Sequence, residues 1–201
     1  MPPVVAKDYG VVLLAAGKSS RLGQPKQFLI FEDTSLVKKA AKTALEITDK
    51  VMVVTGAFKE KVEEELNGLS LHITYNKDFE EGIASSIRKG LSSLMKKFVD
   101  LKGVIFIVCD QPYLNSSVVN QLIQKTAETN RGIVAATYAQ TIGTPVLFIR
   151  KFFPMLLELK GDNGAKKVIK ENLSEVCTID FLQGGIDIDT LADYELIKNR
   201  L

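Results

Sequence analysis

Short apolar, β-branched runs alternate along the chain with stretches whose apolar positions recur every three or four residues. A run that is apolar throughout reads as a strand buried on both faces. The three-and-four recurrence is the stripe of a helix lying on a sheet. The pattern predicts strands over 9–14 (YGVVLL), 51–55 (VMVVT), 71–75 (LHITY) and 104–109 (VIFIVC). Helices are predicted over 35–47, 59–66 and 83–95, the first carrying the apolar pairs Leu36/Val37, Ala40/Ala41 and Ala44/Leu45. The next helix takes Asn115 or Ser116 as its cap and turns Val118/Val119 and Leu122/Ile123 inward. Beyond 133–136 the alternation loosens. A strand is predicted over 145–149 (PVLFI), helices near 151–159 and over 165–171, a strand over 176–179 and a closing helix from Leu191. Thr190 and Asp193 form a variant of the capping box there, with Asp in place of Glu or Gln.

Strands alternating with helices predict an α/β fold: a Rossmann-like, mostly parallel twisted sheet with right-handed crossovers and helices on both faces. A chain of 201 residues with no repeat, low-complexity linker or composition break reads as one domain over 1–201. Basic and acidic residues number 26 and 24. That balance gives no electrostatic case for nucleic acid or an anionic membrane surface. The longest apolar runs, 11–16 and 104–109, are far too short to span a bilayer. The start, MPPVVAKDYG, has no basic segment leading into an apolar one, so no signal peptide and a cytoplasmic location are expected. Two distant cysteines, Cys109 and Cys177, fit a reducing compartment better than a disulfide framework. With a single histidine, His72, in a strand-like segment, they make no zinc or iron–sulfur signature.

The chemistry concentrates in LAAGKSSRLGQPK, Leu14 to Lys26, directly after the first strand. Ligands of open parallel sheets bind beyond the carboxyl ends of the strands. Gly17 and Gly23 let backbone approach a ligand closely, and Ala15, Ala16, Ser19 and Ser20 keep that approach clear. Arg21 and Lys26 bring positive charge. Backbone donors with two cations describe a phosphate-binding loop; the plain alternative is a glycine-containing turn with two exposed basic residues. Leu22 and Ser19 stand where a Walker A loop and a dinucleotide fingerprint each require glycine, so the loop is neither.

This segment resembles the LAAGxSxRxGxxK signature of the MobA-like nucleotidyltransferases. The resemblance implies a domain of the nucleotide-diphospho-sugar transferase type that binds a nucleoside triphosphate here. Gly17, Arg21 and Lys26 would be triphosphate ligands, Lys26 and Arg21 the catalytic cations, and Leu14, Ala15, Ala16 and Gly23 part of the nucleotide pocket. The segment 76–91, NKDFEEGIASSIRKGL, is similar to the family's base-pocket segment, with Gly82, Ser85 and Ser86 at the matching positions. CDQP (109–112), GTPVLF (143–148), GDNGAK (161–166) and IDIDTLADY (186–194) extend the likeness over nearly the whole chain. DQP, GDxGA and DIDT resemble the molybdenum cofactor cytidylyltransferase (MocA-like) branch. That branch implies CTP as donor, molybdenum-bearing molybdopterin as acceptor, acceptor contacts at Gly143, Pro145, Asp162 and Gly164, and transient contact with a molybdoenzyme. The sequence departs from the pattern at Leu191-Ala192 for Pro-Glu, at Lys166 for arginine and at Thr144 where histidine or another polar residue is common.

The acidic residues also speak without the family. Asp110 follows an apolar strand immediately and should project from the ligand-binding edge. Asp187 and Asp189 alternate along IDID and share one face of an extended segment. Like charges on one face repel unless a cation separates them. Mg²⁺ accepts one or two carboxylates with phosphate oxygens and water, so Asp110 with one of the pair, Asp187 preferred, would supply a magnesium site. The alternatives are a cap at Asp110, a solvated strand edge at Asp187/Asp189 and a plain turn at Asp162. At the level of function, a nucleotidyltransferase using GTP or a sugar phosphate remains open. So does a nucleotide- or cofactor-binding chaperone without turnover.

Overall fold

The computed structural model describes residues 6–18, 25–186 and 194. Its strands are β1 (Tyr9–Ala15), β2 (Ile30–Phe31), β3 (Thr34–Ser35), β4 (Val51–Thr55), β5 (His72–Tyr75), β6 (Gly103–Val108), β7 (Ile133–Tyr138), β8 (Thr141–Ile149) and β9 (Val176–Asp180). The helices are α1 (Leu36–Ile47), α2 (Lys59–Glu65), α3 (Ile83–Lys97), α4 (Ser116–Thr129), α5 (Phe153–Leu157) and α6 (Lys166–Glu171). Caps start two of them as their sequences require. The Ser35 hydroxyl accepts from the Lys38 amide, and the Asn115 side chain accepts from the Val118 amide.

Seven strands form one sheet in the order β5-β4-β1-β6-β8-β7-β9. Period-two alternation sends neighbouring residues to opposite faces. Val11, Leu13, Ile105 and Ile107 pack under α1 and α4, while Val12, Val54, Val104 and Phe106 pack under α3, α5 and α6. The result is a mixed, twisted sheet between two helical layers.

The sheet departs from a fully parallel one at β8. β8 runs antiparallel to both β6 and β7, whereas β5/β4, β4/β1, β1/β6 and β7/β9 are parallel. β7 and β8 form a hairpin through Ala139 and Gln140, both with positive φ. Two such central residues match the right-handed twist of the flanking strands, but here neither is the usual Asn or Gly. Pro145 sits where the β7/β8 register shifts, between the pairs Ala136↔Gly143 and Ala135↔Val146. Proline has no N–H for the ladder, so an interior strand accommodates it at such an irregularity.

From β1 the chain adds β4 and β5 on one side, then places β6 on the other. The carboxyl ends of β1 and β6 therefore flank the point where strand order reverses, the usual ligand crevice of an open α/β sheet. Leu14–Gly17 leave from one of these ends and Cys109–Asp110 from the other.

Candidate functional site

Two cavities open at this crevice. The smaller, about 330 Å³, is lined by Leu14, Ala15, Ala16 and Gly17 after β1, by Lys26 and Gln27, by Phe79, Gly82, Ile83 and Ser86 at the start of α3, and by Val108, Cys109 and Asp110 after β6. The larger, about 590 Å³, has an apolar floor of Leu14, Ile87, Phe106, Val108, Val146 and Ile169. Its rim carries Tyr138, Gly143, Thr144, Asp162, Gly164, Lys166, Lys167 and Lys170. Leu14, Ile83 and Val108 face both cavities and form the partition between them.

The Lys26 ammonium lies 3.7 Å from an Asp110 carboxylate oxygen. The lysine side chain is 14% exposed and that of Asp110 33%. Two residues distant in sequence, one following β1 and one following β6, thus meet at one edge, a lysine and a carboxylate beside the same cavity. Cys109 sits next to them, but it is no nucleophile. Burial pushes its thiol well up, and the neighbouring Asp110 carboxylate pushes it further, so the thiolate is scarce at neutral pH.

Three buried side-chain amides to which the sequence patterns gave no role hold this edge, two of them, Asn76 and Gln111, inside the matched segments 76–91 and 109–112. Gln27, 2% exposed, donates from Nε2 to the Gly17 carbonyl at 2.6 Å and reaches the Ala15 carbonyl at 3.5 Å. Asn76, 3% exposed, donates from Nδ2 to the hydroxyls of Ser85 (2.8 Å) and Ser86 (3.1 Å). Gln111, 4% exposed, donates from Nε2 to the carbonyls of Thr144 (3.0 Å) and Gly184 (3.1 Å). That clamp joins the turn after β6 to the irregular part of β8. Polar residues inside apolar runs (KQF, TYN, CDQP) were the available signal, since buried polar groups must find partners.

Of the residues matched to the family, Leu14, Ala15, Ala16, Gly17, Lys26, Gly82, Ser86 and Asp110 come together at the smaller cavity. Ser85 stands behind the wall, bonded to Asn76 and to the Gly82 carbonyl. Gly143, Asp162 and Gly164 line the larger cavity, and Thr144 rather than Pro145 faces it. Arg21, Gly23, Asp187 and Asp189, with the closing helix and its capping box, lie outside the described residues. His72 is a packing residue: its ring lies 5.7 Å from that of Phe98, centroid to centroid.

Two glycines at the cavities leave no room for a side chain unless a neighbour shifts. Gly82 has φ 115°, and a Cβ there would lie 2.4 Å from Asp162 Oδ1 and 2.6 Å from the Gly161 carbonyl oxygen. A Cβ on Gly143 would lie 2.2 Å from the Tyr138 hydroxyl. Gly82→Ala meets both strained backbone and a fixed carbonyl, a cost on the order of 1–3 kcal/mol. A lowered urea midpoint is the expected result; an unchanged midpoint would show that the loop carrying Gly161 yields freely.

Among the described residues no three His, Cys, Asp or Glu side chains gather as a metal cage. A magnesium ion in a nucleotide site needs less, one or two carboxylates beside phosphate oxygens and water. The partly exposed carboxylate of Asp110, at the wall of the smaller cavity, fits that donor set. Among the described residues, too, no helix is long and apolar enough to cross a membrane.

Relatives of similar length align with nearly the whole chain. Purine catabolism protein PucB from Bacillus subtilis (strain 168) is 28% identical over 205 residues, 94% of this chain and 96% of PucB. The crystal structure of Rv0371c from Mycobacterium tuberculosis H37Rv superposes with a TM-score of 0.80 at 27% identity, over 95% of this chain and 97% of that one. A structure of Rv0371c in complex with manganese aligns with a TM-score of 0.77 at 23% identity, over 96% and 99%. The model of the MobA-like NTP transferase domain matches residues 11–176, and the chain belongs to that family, with the architecture of a catalytic nucleotidyltransferase domain.

Proposed function

We propose that the whole chain is one metal-dependent cytidylyltransferase domain that moves CMP from CTP onto a phosphate monoester, molybdenum-bearing molybdopterin being the acceptor of choice. The observation that carries this reading is the pair of adjoining cavities with Lys26 and Asp110 at the smaller. One cavity suits a nucleotide under a glycine-containing loop. The other is roomier, with an apolar floor and a rim of Lys166, Lys167 and Lys170. That lining suits an acceptor with a flat, weakly polar body and an anionic group. A sugar phosphate would present hydroxyls to a floor without hydrogen-bonding side chains, leaving polar groups unpaired at a cost.

In this reading an acceptor phosphate oxygen attacks the α-phosphorus, the bond to the β-phosphate oxygen breaks, and pyrophosphate leaves. Such transfers depend on positioning and on charge neutralisation. Lys26 and Arg21 stabilise charge developing on the α-phosphate and the departing pyrophosphate. Gly17, with Ala15 and Ala16, presents backbone to the nucleotide, and Gln27 fixes the carbonyls of Ala15 and Gly17 so that this stretch keeps its shape. Ser86 and Gly82 border the base side, with Ser85 and Asn76 holding Ser86 in place. Asp110 would hold Mg²⁺, with Asp187 or Asp189 as a second carboxylate. A bound divalent cation would offset the negative charge of the phosphates. The manganese complex of Rv0371c supports a divalent ion in a protein of this fold.

The test is pyrophosphate release across the four ribonucleoside triphosphates with Mg²⁺, with and without molybdenum-loaded molybdopterin. Release with CTP that depends on this acceptor is expected. A thermal-shift series separates the bases, because a ligand that binds only the native state stabilises it by mass action. CTP with Mg²⁺ should raise the transition more than GTP; the reverse order would reassign the donor.

A further inference from the structure

The start of α3 is the partition between the two cavities: Ile83 faces both, Ser86 the smaller and Ile87 the larger. This helix has no side-chain cap, and its first amides need partners from elsewhere. The loop before α6 supplies one. The Ala84 amide donates to the Gly161 carbonyl at 3.1 Å. In return the Gly161 amide donates to Glu81 Oε1 at 3.3 Å. Arg88, one turn further along α3, donates to both oxygens of Glu81, at 2.9 and 2.6 Å, and to the Leu159 carbonyl. The bidentate bond lowers the pKa of the Glu81 carboxyl, and the Gly161 amide adds to this.

The residues directly after this tie, Asp162 to Lys167, line the larger cavity. The smaller cavity meets this tie only through Phe79, Gly82 and Ile83, while its walls at Gly17 and Ser86 hang on different bonds, those of Gln27 and Asn76. We propose that Arg88 and Glu81 are positioning residues for the acceptor side, locking the 159–164 loop to the partition helix without touching either substrate. This rests on assigning the larger cavity to the acceptor. A planar guanidinium makes a two-point bond with a carboxylate and still has a donor for a carbonyl; a lysine ammonium cannot match that geometry. The tie should therefore be specific to arginine, and cutting it should loosen the loop while leaving nucleotide binding in place.

Hydrogen exchange of the 159–165 segment, measured beside calorimetric titration with MgCTP, tests this in the full chain. In Arg88→Met, exchange of this segment should speed up tenfold or more while the MgCTP Kd stays within threefold. Arg88→Lys and Glu81→Gln should fall between Arg88→Met and the unaltered protein, and they decide the matter by the same criteria if Arg88→Met does not fold. Unchanged exchange in the variants overturns the proposal. So does a MgCTP Kd that weakens in step with the loosening, which would make the pair a general support of the helix. If the unaltered protein itself binds no MgCTP, the nucleotide assignment falls, and the exchange comparison still judges the tie.

Discussion

Lys26→Ala should lower turnover by roughly 10²–10³-fold, on the order of 3–4 kcal/mol, the loss seen when one preorganised donor is removed from a developing oxyanion. The position argues for an effect of this size. The Lys26 side chain is only 14% exposed, so its charge acts through a poorly solvated space, where an interaction with phosphate is screened less than at an open surface. It is also aimed. Pro25 leads into the short helical turn Lys26–Phe28, and the buried amide of Gln27 pins that turn to the carbonyls of Ala15 and Gly17. The ammonium therefore meets the cavity without first having to be ordered. The substitution removes no apolar core group, so the urea midpoint should move little. Steady-state pyrophosphate release measured beside that midpoint checks both halves. Near-normal turnover in a folded Lys26→Ala protein would take Lys26 out of the chemistry. Arg88→Met should behave differently, with nucleotide affinity retained and the acceptor side loosened.

Local signals carried most of the scaffold. The apolar run VMVVT is β4, residue for residue, and the stripe after Ser35 is α1 with Ser35 as its cap. The crevice was also legible, because the loop after β1 and the acid after β6 each follow an unmistakable buried strand. The reversal of β8 was not. It depends on a two-residue turn at Ala139-Gln140, whose positive φ values are imposed by pairing of the flanking strands rather than by residue preference. The small β2–β3 hairpin turns through Glu32 and Asp33, again at positive φ, where aspartate is a favoured residue and glutamate is not. The helix expected near 151–159 is a 3₁₀ turn, Arg150–Phe152, running into α5, Phe153–Leu157, with Pro154 in the first turn of α5, where a missing N–H costs nothing. The amide clamps were hidden for another reason. Gln27, Asn76 and Gln111 look like surface residues to any hydropathy pattern, and only the fold shows that backbone carbonyls or hydroxyls meet each of them inside.

Asp110→Asn should change the magnesium dependence of nucleotide binding in a way that no loss of folding can imitate. The asparagine is isosteric, and the position is 33% exposed, so the substitution should be accommodated. Its charge has two opposed effects on a bound triphosphate. Without a divalent cation, a carboxylate at the wall of the cavity repels the phosphates. Removing it should improve CTP affinity. With magnesium present, the same carboxylate becomes a ligand that links cation and protein. Removing it should then weaken affinity and reduce turnover by about 10²-fold or more, given that metal stabilisation of phosphoryl charge is worth several kcal/mol and 1.36 kcal/mol is tenfold. The Kd for CTP plotted against magnesium concentration should therefore fall steeply for the unaltered protein and much less for Asp110→Asn, and the two curves should cross. The neighbouring Lys26 sharpens the contrast. It lies 3.7 Å from Asp110, and neutralising the aspartate leaves its positive charge less offset, which favours the metal-free nucleotide still more. Titrations of the two proteins from zero to millimolar Mg²⁺ decide the matter. Parallel curves would show that Asp110 serves as a counter-charge to Lys26 and holds no metal.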